Sequence, residues 1–217
     1  MNRRFASIAL AVAAVSIGAT TAHAQAVTPA GTFGSLPSGS FGGSGIPTNA
    51  VETGGKNGIT LGLSATPRYT SPAVTNDGAG TFTAMSGIST GGLVNAGFAS
   101  WNFDYFVGGA NSDQYFTLFV DQSPTVGDPL SSMTAYMFSG SNHDSSNLHY
   151  WGAFDPNATG EYSFALYQYG DAERLQVLDH VAINVEVTTT PEPSSLALLG
   201  SGFVGLTGFI RRRRNAA

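Results

Sequence analysis

The sequence predicts an all-β fold, an antiparallel β-sandwich or jelly roll, on three observations. Short runs alternate apolar and polar residues with a period of two, clusters of turn-forming residues separate them, and no segment sustains a 3.6-residue apolar period. Composition points the same way: 28 glycines in 217 residues, 11% aromatic residues and only 11% charged residues suit strands and turns rather than coiled coils or helix bundles.

Taken in order, Ile59–Leu63 and Thr81–Met85 are short alternating runs. Trp101, Phe103, Tyr105 and Val107 then alternate with Asn102, Asp104 and Phe106, and Phe116, Leu118 and Val120 alternate with Tyr115, Thr117 and Phe119. Thr134–Phe138, Leu148–Phe154 and Tyr162–Leu166 follow, with a short helical turn expected near Asp171–Leu175. In the last run Val181, Ile183, Val185 and Val187 should face a core, and His180, Ala182, Asn184 and Glu186 should face solvent. Asn76-Asp77-Gly78, Gly108-Gly109, Gly127-Asp128-Pro129, Asp155-Pro156-Asn157 and Gly170-Asp171 supply the turns. The β domain is therefore read as 51–187, preceded over 25–50 by a Gly/Ser/Pro-rich arm or linker with room for one edge strand.

Cysteine is absent, which excludes disulfides, thiolate zinc sites, a cysteine nucleophile and a lipid-attachment cysteine. Six of the nine basic residues lie at the two ends. Between Gln25 and Thr190 only Lys56, Arg68 and Arg174 stand against 13 acids, a formal charge of −10. A nucleic-acid binder needs clustered Lys and Arg to displace phosphate counterions, so nucleic acid is excluded as a partner.

The two ends carry targeting features. Arg3 and Arg4 precede the apolar run Phe5–Ala19, and Ala22-His23-Ala24 satisfies the small-x-small rule for cleavage before Gln25; residues 1–24 read as a signal peptide. At the other end, residues 188–217 begin with a threonine spacer. Pro191-Glu192-Pro193 follows, then the apolar run Leu196–Ile210, then Arg211, Arg212, Arg213 and Arg214. The prolines stop any preceding strand. The run implies a single transmembrane helix over 195–210. Ser194 to Ile210 gives about 25 Å of helix, near the lower limit for a span. The four arginines act as a cytoplasmic stop and leave the β domain outside.

That order of tripeptide, apolar run and terminal arginines resembles the PEP-CTERM sorting signal of exported bacterial proteins. The resemblance covers about 30 residues, from Thr188 to the end. It implies a substrate of an exosortase-type membrane processing enzyme, anchored through the helix before processing and then released to the cell surface or the extracellular space. The family is associated with Gram-negative species that make extracellular polysaccharide, which makes such a polysaccharide a candidate partner.

Candidate sites within the domain are sparse. His143 and His149, with Asp144 beside the first, have no tight ligand spacing and read as solvated loop residues; no metal or other cofactor is expected. Asp113, Asp121 and Asp128 lack the spacing of a calcium loop, and Asp171 with Glu173 is a carboxylate pair without a visible cleft. No G-x-S-x-G elbow supports a hydrolase. Asn157-Ala158-Thr159 matches a glycosylation acceptor by accident of composition. Trp101, Tyr105, Tyr150, Trp151, Tyr167 and Tyr169 are the aromatics available for stacking on sugar rings. Trp101 and Tyr105 belong to a core face, whereas Tyr167 and Tyr169, beside Gly170, are the ligand-binding candidates expected on the surface. The reading is a non-enzymatic surface or extracellular-matrix protein. A glycan-binding module of an exopolysaccharide matrix and a secreted hydrolase are the alternatives.

The leader generates the first testable expectation. The exported form begins at Gln25, because Ala22 and Ala24 occupy the two positions that must be small. N-terminal sequencing of extracellular protein checks this, and a chain still starting at Met1 would refute it.

Overall fold

A computed structural model describes residues 26–36, 49–91 and 97–189. Within them, strands form two sheets and helix is confined to two 3-10 turns at Leu130–Ser132 and Leu148–Tyr150. The first sheet has five strands: β1 (Thr32–Ser35), β2 (Asn49–Gly54), β3 (Thr60–Pro67), β6 (Trp101–Gly108) and β9 (Asn142–Ser146), in that spatial order. The second has six. Its spatial order begins with β4 (Thr75–Asn76), β5 (Thr81–Met85) and β11 (Val177–Thr188), and continues with β10 (Gly160–Tyr169), β7 (Tyr115–Val120) and β8 (Thr134–Ser139).

The sheets face each other across one apolar cluster. Leu61, Leu63, Trp101, Phe103 and Val107 come from the first sheet; Phe82, Phe116, Phe164, Val181, Ile183 and Val185 come from the second. At its centre the Phe103 and Phe164 rings stack at 4.5 Å, and Trp101 meets Phe164 edge-on at 6.2 Å. The expected inward set of β11 is nearly inaccessible: Val181, Ile183 and Val185 at 0% and Val187 at 4%. Large aromatics bury the most apolar surface per residue ordered, and this chain has no covalent cross-link to share the burden.

Three expectations change. First, the sheets are not wholly antiparallel, because β5 lies parallel to β11, with Phe82 opposite Val185. Parallel neighbours need a long connection, and the whole of 86–176 lies between these two strands.

Second, the outer faces are not simply solvated. Ala30 exchanges backbone hydrogen bonds with Ala182 at 3.0 and 2.9 Å. Val27 and Met133 then cover Ala182 and Ala165. Asn184 is only 8% exposed, and its Oδ1 accepts from Ser163 Oγ at 3.0 Å. On the first sheet, Leu36 and Val51 pack on Phe106. A strand whose outer face is covered by a returning segment has two buried faces, which a period-two pattern does not announce.

Third, Leu148–Phe154 is not a strand, and His143-Asp144 is not a loop. The strand is β9, and Asn147 ends it. The Asn147 side chain is completely buried. Its Oδ1 accepts from Ala99 N at 3.1 Å and from His149 N at 3.3 Å. Its Nδ2 donates to Ala99 O, Trp101 O and Asn102 Oδ1 at 3.2, 2.7 and 2.9 Å. A side-chain amide that satisfies backbone groups in this way replaces the next rung of a ladder and starts a turn. Near Asp171 a hydrogen-bonded turn replaces the expected helical one, with Leu175 N and Gln176 N donating to the Asp171 carboxylate at 2.9 and 2.7 Å.

The burial pattern of β11 sets a stability test. Ile183→Asp puts an unpaired carboxylate among apolar neighbours and should cost about 3 kcal/mol or more. Glu186→Gln, on an exposed position of the same strand, should stay within about 0.5 kcal/mol of the parent. Asn184→Asp should fall between them, because the new charge keeps the Ser163 donor but loses water. Urea unfolding of the three variants measures the order.

Candidate functional site

The sequence-derived sorting residues Pro191, Glu192 and Pro193, the arginines 211–214 and the leader residues Ala22, Ala24 and Gln25 all lie outside the described residues. Among the described residues no helix is long and apolar enough to cross a membrane, and the apolar run Leu196–Ile210 lies outside them.

Of the two surface tyrosine candidates, Tyr169 is buried at 8% exposure, and its ring stacks against Tyr167 at 6.2 Å. At that exposure it presents no open face to a sugar ring, although it lies on the same side of β10 as Tyr167. Tyr167 is half-buried. It stacks on His180 at 4.8 Å, and together they wall an open groove of about 570 Å³ against Ala26–Thr28 and Pro129–Ser131.

A second groove, of about 610 Å³, brings together more chemistry. It runs along β9, the edge strand of the first sheet. Arg68 and Tyr69 enter from the turn after β3, and Asn102 comes from β6. Asp144, Ser145 and Ser146 lie on β9 itself, and Tyr150 and Trp151 follow the 3-10 turn. Local geometry explains each placement. Arg68 N donates to Ser100 O at 2.8 Å and Ser71 N to Arg68 O at 3.0 Å, which closes the turn. Tyr69 takes φ +52°, a left-handed backbone that a bulky residue adopts only when its surroundings impose it. Trp151 is fixed from both ends: Nε1 donates to Ser146 Oγ at 2.8 Å, and the ring packs on Phe103 at 5.7 Å and on Tyr136 at 5.9 Å.

Beneath the groove lies a buried polar network. The Arg68 guanidinium sits over the rings of Phe98 at 4.4 Å and Tyr69 at 4.9 Å, and Nη1 reaches Asn102 Oδ1 at 3.5 Å. Asn102 Nδ2 donates to Ser145 Oγ at 3.1 Å. Asp104, fully buried beside it on β6, accepts from Thr66 Oγ1 at 3.3 Å, while its Oδ2 has no hydrogen-bond partner among the described residues. Burial pushes the Asp104 carboxyl up to about 8, with nearby Asp144 adding to the rise and the Ser145 and Thr66 hydroxyls opposing it.

The remaining candidates do not converge. Among the described residues no group of three His, Asp or Glu side chains is placed to hold a metal ion. His143 lies beside Phe106, and His149 packs tilted against Phe98 at 4.3 Å. Asp121 spends its carboxylate on Ser123 N and Ser163 N at 2.9 and 3.2 Å, and burial pushes it up to about 6. Asp171 is the acceptor of its own turn, which holds its carboxyl below the usual range. Of the six aromatics, Trp101 and Tyr105 are in the core, as their shared face implied, and Tyr150 and Trp151 are in the groove. Sequence reasoning missed Arg68 and Tyr69, which adjoin a turn and carry no motif. Asn102 and Asp104, which alternate with the core residues of β6, are buried rather than solvated.

Comparison with known proteins bears on the tail. Residues 189–214 match the family model of the PEP-CTERM protein-sorting motif. The chain carries a PEP-CTERM sorting signal. It is the mark of an exported protein sorted by an exosortase, with a membrane-anchored C-terminal signal before it reaches the surface. The match starts one residue after the last residue of β11, so the PEP-CTERM segment abuts the β domain without entering it. No curated protein and no solved structure matches the chain.

Asp104 generates a pH prediction. Its carboxyl titrates near 3.8 when unfolded and near 8 when folded, so between those values the unfolded chain binds fewer protons. Its contribution therefore favours the fold most below the lower value, declines as pH rises and levels off above the upper one. The slope reaches about 1.4 kcal/mol per pH unit for one proton. Asp104→Asn, which keeps the shape without the titration, should flatten the fall in stability between about pH 6 and 8. Denaturant midpoints at a series of pH values read this directly, and an unchanged slope would show that Asp104 is ionised in the folded chain.

Proposed function

We propose that this protein is an exported, non-enzymatic component of the bacterial surface or extracellular matrix. The PEP-CTERM tail delivers its β domain, and an exosortase-type enzyme cuts that tail near Pro191-Glu192-Pro193. One observation carries the reading: the motif begins at residue 189, immediately after β11 ends at Thr188. Thr188 is still tied to the domain, its carbonyl accepting from Ser86 N at 2.8 Å. Cleavage beyond that point removes no core residue, so a two-sheet domain held by apolar packing survives its own release. The leader over 1–24 and the arginines at 211–214 are consistent with the same orientation, with the domain outside.

The absence of catalysis is supported by how the polar side chains are used. Asp121 and Asp171 satisfy backbone donors, and His149 and His180 pack against neighbouring rings. A glycan-binding role is the second reading, favoured by the aromatic-lined groove along β9.

A plain tail anchor needs an apolar helix and flanking arginines but has no use for the tripeptide. Glu192→Ala should therefore leave insertion and orientation intact while trapping uncleaved protein in the membrane. Mass spectrometry of the C-terminus in membrane and extracellular fractions follows this. Normal maturation of Glu192→Ala would make a simple anchor the better account.

A further inference from the structure

We infer that the groove along β9 is a binding site for a neutral saccharide chain, which rests on the reading of the domain as a glycan-binding surface module and names its site. Two features of the groove point there. The first is aromatic. Tyr150 is 67% exposed and Tyr69 49% exposed, and half-buried Trp151 lies beside Tyr150 on the same groove. Rings left this open keep apolar faces in water, and the C–H faces of pyranose rings are their natural cover. Tyr69 is held there by a left-handed backbone rather than by its own preference.

The second feature is polar and opposite in kind. Arg68 lines the groove although only 8% of it is exposed. Its Nε is enclosed and has no hydrogen-bond partner among the described residues, so only the rest of the side chain can meet a ligand in the groove. The flanking Phe98 and Tyr69 rings and the Asn102 carbonyl fix the guanidinium in place. Asn102 is itself fixed by Asn147, so the donor is set before any ligand arrives. Asp144 offers an exposed carboxylate acceptor on the same groove, its Oδ1 already accepting from Ser145 N at 2.8 Å. A preset donor and an acceptor beside stacking rings match adjacent ring hydroxyls, which accept from the one and donate to the other.

Charge selects the class. Arg68 and Asp144 offset each other, and the surrounding span carries −10, which opposes a polyanion. A cationic peptide would meet the buried guanidinium. A hydroxyl-rich, uncharged ring avoids both penalties.

The test uses the full chain purified in detergent and electrophoresed through native gels containing soluble β-glucan, galactomannan or starch, with alginate as the acidic polymer. At least one neutral polymer should retard the protein. Tyr150→Ala and Asp144→Asn should each weaken that retardation about tenfold without moving the thermal midpoint. Tyr167→Ala, in the other groove, should leave it unchanged. Retardation by none of the neutral polymers, retardation by alginate alone, or undiminished retardation of both groove variants would overturn the assignment. The binding readout is independent of maturation, so failure of the Glu192→Ala result removes the sorting account and leaves this site standing, and the reverse also holds.

Discussion

The contact on which the rest of this domain depends is the stack of Phe103 on Phe164. It joins the two sheets at the middle of their shared face, with Trp101 and Tyr162 packed around it. With no cysteine to supply a disulfide, such packing carries most of the work of holding the layers together. The seam also fixes the register of everything built on it. Phe103 pairs with Ala65 on β3 and with Ser146 on β9, while Phe164 pairs with Ile183 on β11 and Val120 on β7. A slip of one residue at Phe103 would reverse the faces of β6 and bring Asp104 into the core.

The same strand carries the domain's polar expenditure. With its odd-numbered residues committed to the seam, β6 turns Asn102 and Asp104 to the other side, where Asn147, Thr66 and Ser145 meet them. Buried polar groups that end incompletely paired, as Arg68 Nε and Asp104 Oδ2 do among the described residues, weaken a fold. Arg68 Nε and Asp104 Oδ2 belong to the network under the groove along β9, while Glu52 Oε2 on β2 and Thr117 Oγ1 on β7 are left unpaired elsewhere among the described residues.

Domain and tail divide the labour cleanly. Strand β11 ends at Thr188 and the sorting motif begins at residue 189. The strand that closes the six-stranded sheet between β5 and β10 is thus also the one that hands the chain to the membrane signal. Delivery is written in a linear segment read by another protein, whereas any binding property belongs to the folded part.

That division explains what could be read from the residues alone. The sorting signal was legible because it is a linear pattern: proline break, apolar run and arginines act through composition and order. The all-β class and the inward faces of β6 and β11 were legible because a half-buried strand imposes a period of two. The parallel β5–β11 pair was not, since its partners lie about a hundred residues apart and no local rule joins them. Nor was the burial of Ala182 and Asn184, which depends on a segment near Ala30 folding back over the sheet. The groove was decided by tertiary structure alone. Arg68, Tyr69, Asn102, Asp144 and Tyr150 come from three separate stretches of chain, and Asn147, one asparagine among many in the sequence, becomes the tie between two of them only once β6 and β9 are paired.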